Sequence, residues 1–223
     1  MRPLVYGWPI LVGALLRIGW FLVHPHQPFV DELHYHQIAV TLVQSGTYRD
    51  LLWPPGWPFT LSVLYTVFGS QVVVGLVFNT LISCLTIGLI GWIAYRLFDP
   101  HIAWASMWLI AGMPSYILVN TLLMYEVWLQ FLLIWSVIVA IQPRWRVAHV
   151  VQISVLTALI SLMRPFWLLL PCLLWIMHHA LAPAQARFGP CASGHALRAI
   201  DPEPRAGDPA DYTVGACDES RGR

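Results

Sequence analysis

The sequence predicts an all-α, polytopic membrane protein, and three observations lead there. Of 223 residues, 58% are hydrophobic and 10% charged, whereas a soluble domain carries about 25% charged residues. Mean hydropathy is +0.65. Of the 23 charged residues, 11 lie after Leu181, leaving 12 in residues 1–180, too few to cover a water-soluble surface. The 12 basic residues are all Arg and form no basic stripe, which argues against a nucleic-acid partner. Cys84 and Cys172 lie in apolar runs, Cys191 and Cys217 in a polar tail, so no disulfide framework is suggested.

A transmembrane helix needs roughly 20 mostly apolar residues. Leu4–Val23 meets that length and is an anchor rather than a signal peptide, because no small-residue cleavage site follows. Arg17 within it faces either a protein interior or a lipid headgroup, since a lipid-facing Arg is costly. The polar stretch from His24 to Trp57 holds Asp31, Glu32, Arg49 and Asp50 and opens a first outer loop, 24–70. Inside it, Leu33, Ile38, Val40 and Leu42 predict a short amphipathic helix over Leu33–Val43, suited to a membrane surface, with Gly46 as its C-cap.

Trp57–Phe68, behind Pro54-Pro55-Gly56, is short for a span and suits a re-entrant or interfacial helix. Further spans are predicted at Gln71–Leu97, Ile102–Val119, Val127–Ile141, Ala148–Met163 and Phe166–Met177, the last two broken at Arg164-Pro165. If Trp57–Phe68 does not cross, Arg2, Arg96, Arg144 and Arg146 share the cytoplasmic side, as the positive-inside rule prefers. Asp31, Glu32 and Glu126 then share the outer face, with Arg164 near it. If it crosses, Arg96, Arg144 and Arg146 move outside. From Leu181 the composition turns to Pro, Ala, Gly, Arg and Asp, so 1–180 is a membrane region and 181–223 a polar, disordered tail.

Asp31-Glu32 is the first candidate for chemistry. A carboxylate at a membrane interface is either a solvated loop charge or a base facing a half-desolvated site, where burial raises its proton affinity. His24-x-His26 and His34-x-His36 flank it and suggest a metal, but i and i+2 diverge on a helix, so no metal is assigned. Trp8, Trp20, Trp53, Trp57, Trp92 and Trp104 sit near span ends as interfacial belts; stacking on a sugar is the functional alternative for Trp53 or Trp57.

Four stretches follow in order: Asp31-Glu32-Leu33-His34-Tyr35-His36-Gln37-Ile38-Ala39, Gly46-Thr47-Tyr48, Pro54-Pro55-Gly56-Trp57-Pro58, and Tyr65-Thr66-Val67-Phe68-Gly69 after Leu64. An acidic residue, Tyr and Ala on a surface helix, Gly-x-Tyr, Pro-Pro-Gly-x-Pro and Tyr-x-x-Phe-Gly resemble the first outer loop of GT-C glycosyltransferases, in particular the bacterial relatives of protein O-mannosyltransferases and aminoarabinose transferases. Glu126 in Met124-Tyr125-Glu126-Val127-Trp128, and Arg164-Pro165 before an apolar run, extend the resemblance.

The resemblance implies the N-terminal part of a GT-C helix bundle with an interfacial helix in its first outer loop. It implies a multi-pass transferase of the inner membrane, with its site on the extracytoplasmic side. The donor is a polyprenyl-phosphate sugar, the acceptor a hydroxyl of a lipid, glycan or protein, and no cofactor is needed. Asp31 is the expected general base and Glu32 a supporting or alternative carboxylate. Arg164 and Arg49 are expected to contact phosphate, Glu126 to orient acceptor or base, and Tyr35 and Trp57 to line the substrate. Family members continue with more spans, so the break near His178-His179 implies a truncated chain whose activity is open. The alternative is a non-enzymatic transporter or scaffold subunit, which would show broken spans repeated in two halves.

Overall fold

The computed structural model describes residues 4–24, 28–50, 52–142 and 145–187, and among them every regular element is helical. The order is α1 (Leu4–Val23), α2 (Asp31–Ser45), α3 (Gly56–Phe68), α4 (Val72–Leu97), α5 (Pro100–Gly112), α6 (Pro114–Asn120), α7 (Glu126–Ala140) and α8 (Val147–Met163). A 3-10 segment, Pro165–Leu169, then leads into α9 (Leu170–Arg187). The chain divides into two units, Met1–Ala182 and Pro183–Arg223.

Local chemistry accounts for several boundaries. Asp99 caps α5, its Oδ1 accepting from the N–H groups of His101 and Ile102 at 2.7 and 3.0 Å. Pro100 and Pro114 occupy first-turn positions, where a missing N–H costs nothing. Gly46 closes α2 at φ 66°, its N–H bonded to Leu42 O, the left-handed cap that glycine enters without strain.

The predicted span Ile102–Val119 is two helices, α5 and α6, bent by 54°. Pro114 has no N–H for the ladder and keeps Met113 extended. The last predicted span also changes. Phe166–Met177 is a 3-10 turn followed by a helix that runs on to Arg187, past the tail boundary drawn at Leu181. Ala182, Ala184 and Ala186 carry it there, alanine being the strongest helix former. The remainder of the proposed tail, 188–223, lies outside the described residues.

One helix, α4, is by itself long and apolar enough to cross a membrane, with 26 residues and a hydropathy of 2.2; α5 and α6 pass the same test together. The apolar stretches Gly7–Val23, Glu126–Ala140, Val147–Met163 and Pro165–Ala180 are shorter.

α4 is the central element, packed against α1, α5 and α7, while α8 lies against α7 and α3, and α2 against α3. Two cores result. The larger is built on Trp57, Leu61, Tyr65, Leu123, Phe131, Ile160 and Met163; the smaller on Ile87, Met107 and Ala111. Glycine permits the closest approach between α3 and α8: a Cβ on Gly56 would stand 2.8 Å from the Leu162 carbonyl carbon. Large apolar side chains outside the cores face outward, among them Leu85, Leu109, Leu168 and Trp175.

Arg17 lies in the protein interior, 0% exposed. Its Nε donates to Ser83 Oγ at 2.7 Å, and its terminal nitrogens donate to the carbonyls of Gly13 (2.9 Å), Ala111 (3.3 Å) and Ile110 (3.4 Å). A guanidinium fork is suited to reach several acceptors at once, so this one side chain joins α1, α4 and α5.

Candidate functional site

The first turn of α2 begins with two carboxylates, Asp31 and Glu32. The positive end of a helix dipole favours both. The chain enters this turn through Val30 at φ 41°, the one non-glycine residue with positive φ among the described residues. For a β-branched side chain that conformation is strained.

The two carboxylates diverge. Glu32 turns inward and is 6% exposed; its Oε2 accepts from the Leu123 N–H at 3.0 Å. Asp31 stays half-exposed, within electrostatic reach of Tyr35 and Glu126. The buried face of α2 is Glu32, Tyr35, Ala39 and Leu42. This corrects part of the face drawn from Leu33, Ile38, Val40 and Leu42: Leu42 is buried and Val40 packs against the core, whereas Leu33 is 44% exposed, because the 3.6 period that reaches α3 passes through Tyr35 and Ala39.

Three elements distant in sequence meet beside Asp31. Tyr125 and Glu126 arrive from the turn between α6 and α7, and Arg164 from the C-cap of α8. The Arg164 Nε donates to the Tyr125 hydroxyl, and the same guanidinium lies 5.0 Å from the centroid of that ring, adding cation–π attraction. Tyr125 meets Tyr35 edge-on at 6.2 Å, and Tyr35 meets Trp53 edge-on at 5.0 Å. Glu126 faces both Arg164 and Asp31, and its Oε2 is buried without a hydrogen-bond partner among the described residues.

Burial pushes the Tyr35 hydroxyl up from its ordinary value. Tyr125, Glu126 and Asp31 add to that rise and Arg164 opposes it. The Tyr125 hydroxyl is raised by burial first, then by Glu126, against the pull of Arg164. Both phenols therefore stay protonated at neutral pH.

The turn that presents Tyr125 and Glu126 is clamped at consecutive peptides. Trp57 Nε1 donates to Leu123 O at 3.0 Å, on the peptide group following the N–H that Glu32 accepts. Asn79 Nδ2 donates to Leu122 O (3.0 Å) and Met124 O (3.3 Å).

Of the residues singled out by sequence, Asp31, Tyr35, Glu126 and Arg164 converge, and three do not join them as expected. Glu32 holds the turn rather than facing the cluster. Trp57, 1% exposed, has no open face on which to stack a sugar, because its ring is packed in the core and its N–H is committed. Arg49 lines a cleft to which none of the four converging residues contributes. Tyr125 and Asn79 escaped notice: Tyr125 stands next to Glu126, but nothing in the spacing marks its hydroxyl as the Arg164 partner.

The other motif residues mostly build the scaffold. The Tyr48 hydroxyl donates to Trp53 O, and the Tyr65 hydroxyl pairs with His36 Nδ1 at 2.9 Å. His34 and His36 turn to different partners, Asp50 and Tyr65. Among the described residues no group of three or more His, Cys, Asp or Glu side chains could hold a metal ion; His26 lies outside them. No protein-family model, no curated protein and no solved structure matches this chain.

Proposed function

We propose that the chain is a polytopic membrane glycosyltransferase of the GT-C type, moving a sugar from a polyprenyl-phosphate donor to an acceptor hydroxyl on the extracytoplasmic face. The observation that carries the reading is the meeting of Asp31, Tyr35, Glu126 and Arg164 from α2, the α6–α7 turn and the end of α8. The outward-facing Leu85, Leu109, Leu168 and Trp175 support a lipid environment, and the Arg residues at 2, 96, 144 and 146 support a cytoplasmic side opposite this cluster.

In this reading Asp31 takes the proton of the acceptor hydroxyl as its oxygen attacks the anomeric carbon. The bond from that carbon to the phosphate oxygen breaks, and polyprenyl phosphate leaves with the electron pair. Arg164 holds the leaving phosphate. Its Nε is engaged by Tyr125, while its two terminal nitrogens make no hydrogen bond among the described residues, which suits a bidentate grip on phosphate. Glu126 orients the acceptor, and Tyr35 and Tyr125, both protonated, offer donors to sugar or phosphate oxygens.

The test is transfer of labelled sugar from a polyprenyl-phosphate donor in proteoliposomes holding the full chain. Asp31→Asn lowers the rate by about 100-fold or more, the usual worth of a positioned base, with an unchanged melting temperature. Wild-type transfer by this variant would sink the proposed base. No transfer by the unmodified chain from any such donor would remove the enzymatic reading.

A further inference from the structure

We propose that a second polar cleft, on the exposed flank of α2, binds a phosphate monoester carried on a polyhydroxylated group, such as a sugar phosphate. It does not rest on the glycosyl-transfer reading. The cleft has a volume of about 470 Å³, and its polar lining comes from His34, Gln37, Thr41, Thr47, Arg49 and Asp50. The buried face of α2 is Glu32, Tyr35, Ala39 and Leu42. None of Asp31, Tyr35, Glu126 and Arg164 lines the cleft; His34 stands one helical turn from Asp31, so the cleft adjoins the Asp31 cluster without sharing its residues.

Charge points to an anion. Asp50 is the one carboxylate lining the cleft, and its oxygens are committed. Oδ2 meets His34 Nε2 at 2.6 Å, and Oδ1 accepts from the N–H groups of Leu52 (2.9 Å) and Trp53 (3.3 Å). Those donors hold the Asp50 carboxyl below its usual range, the Leu52 N–H foremost, and keep its oxygens turned to partners other than Arg49. Arg49 makes no ion pair or hydrogen bond among the described residues. The cleft thus contains one guanidinium that is not ion-paired, beside an ionised carboxylate whose oxygens are held by other donors, and a guanidinium prefers phosphate in bidentate geometry.

The rest of the lining points to hydroxyl groups. Gln37 supplies an amide with donor and acceptor ends. His34 is held from both sides, by Asp50 at Nε2 and by Trp53, whose ring centroid lies 5.0 Å from its own. With Nε2 engaged, Nδ1 is the nitrogen left for a ligand. A ring fixed in this way offers a hydrogen-bonding group without the entropy loss of a free side chain.

The experiment measures binding, not transfer, with the full chain in phosphatidylcholine nanodiscs and three probes: glucose 6-phosphate, glucose and inorganic phosphate. Glucose 6-phosphate is expected to bind at least about tenfold more tightly than either of the others. Arg49→Gln removes its advantage over glucose, Arg49→Lys keeps part of it, and Gln37→Ala weakens both sugars. Binding is read without any transfer step, so a failure of the proposed reaction leaves the result standing. Displacement by phosphatidylinositol 4-phosphate in the disc would identify a lipid headgroup as the source of the phosphate monoester; binding without displacement identifies a soluble one. Equal affinity for glucose and glucose 6-phosphate, equal affinity for glucose 6-phosphate and inorganic phosphate, or an unaltered Arg49→Gln variant with the wild-type melting temperature would overturn the proposal.

Discussion

Glu32 and Trp57 hold the same residue from two sides: the Leu123 N–H donates to Glu32 Oε2 at 3.0 Å, and the Leu123 carbonyl accepts from Trp57 Nε1 at 3.0 Å. The two side chains come from α2 and α3, and the residue they share lies in the turn that delivers Tyr125 and Glu126. A clamp on backbone groups places a turn without consuming the side chains that the turn presents.

The clamp makes the first prediction. Glu32→Ala leaves a buried N–H unpaired and costs about 1–3 kcal/mol of stability, whereas Glu32→Gln keeps an acceptor and costs less. Trp57→Phe removes the donor on the other side. Because both act on one residue, the double variant departs from additivity by at least about 0.5 kcal/mol, measured by denaturant unfolding in detergent. Strict additivity would mean that the two contacts are independent.

Arg17 makes the second. Arg17→Lys keeps a buried charge but replaces a planar fork by a single ammonium, which cannot satisfy Ser83, Gly13 and Ala111 together. A loss of about 2 kcal/mol or more is expected, seen as a lower melting temperature. A variant as stable as the wild type would show that the network contributes little.

Gly56 makes the third. Its missing Cβ would meet the Leu162 backbone at 2.8–2.9 Å, so Gly56→Ala pushes α3 away from α8 at a cost of about 1–3 kcal/mol. Gly46→Ala strains a different place, since φ is 66° there and no atom lies within 4 Å of the added carbon. Hydrogen exchange separates the two: Gly56→Ala opens α3 and α8, and Gly46→Ala frays the end of α2.

Acidification makes the fourth. His36, bonded to Tyr65, has its pKa lowered by burial. The unfolded chain therefore binds the proton more readily than the folded one. The stability contributed by neutral His36 is complete above about pH 6.5, the unfolded value, and is lost as pH falls toward the lower folded value. His36→Gln flattens that part of the profile, read as the change in melting temperature between about pH 7.5 and 5.5. An unchanged slope in the variant would assign the pH dependence to other groups.

Much of the helical pattern is legible in the residues themselves. Leu4–Val23 is an apolar run interrupted by Arg17 alone and matches α1, and Gly46 and Arg164-Pro165 mark real helix ends. The bend at Pro114 was hidden because proline at a helix start and proline within a span look alike in an apolar run. Within the candidate site, Asp31, Tyr35, Glu126 and Arg164 are recognisable by type and motif, but Tyr125 is not, since its role comes from a contact with Arg164, 39 residues away.

What the sequence determines alone is what depends on composition and short-range period: an apolar, all-helical chain with few charges, and the places where its helices start and stop. What the tertiary structure decides is which way each polar side chain turns. Asp31 and Glu32 are adjacent and chemically alike, yet successive positions on a helix are rotated by about 100°. One carboxylate therefore stays at the cluster while the other is buried against Leu123. Arg17 could have faced lipid or protein, and the acceptors on α4 and α5 drew it inside. Trp57 could have stacked on a ligand, and the packing of α3 buried it instead.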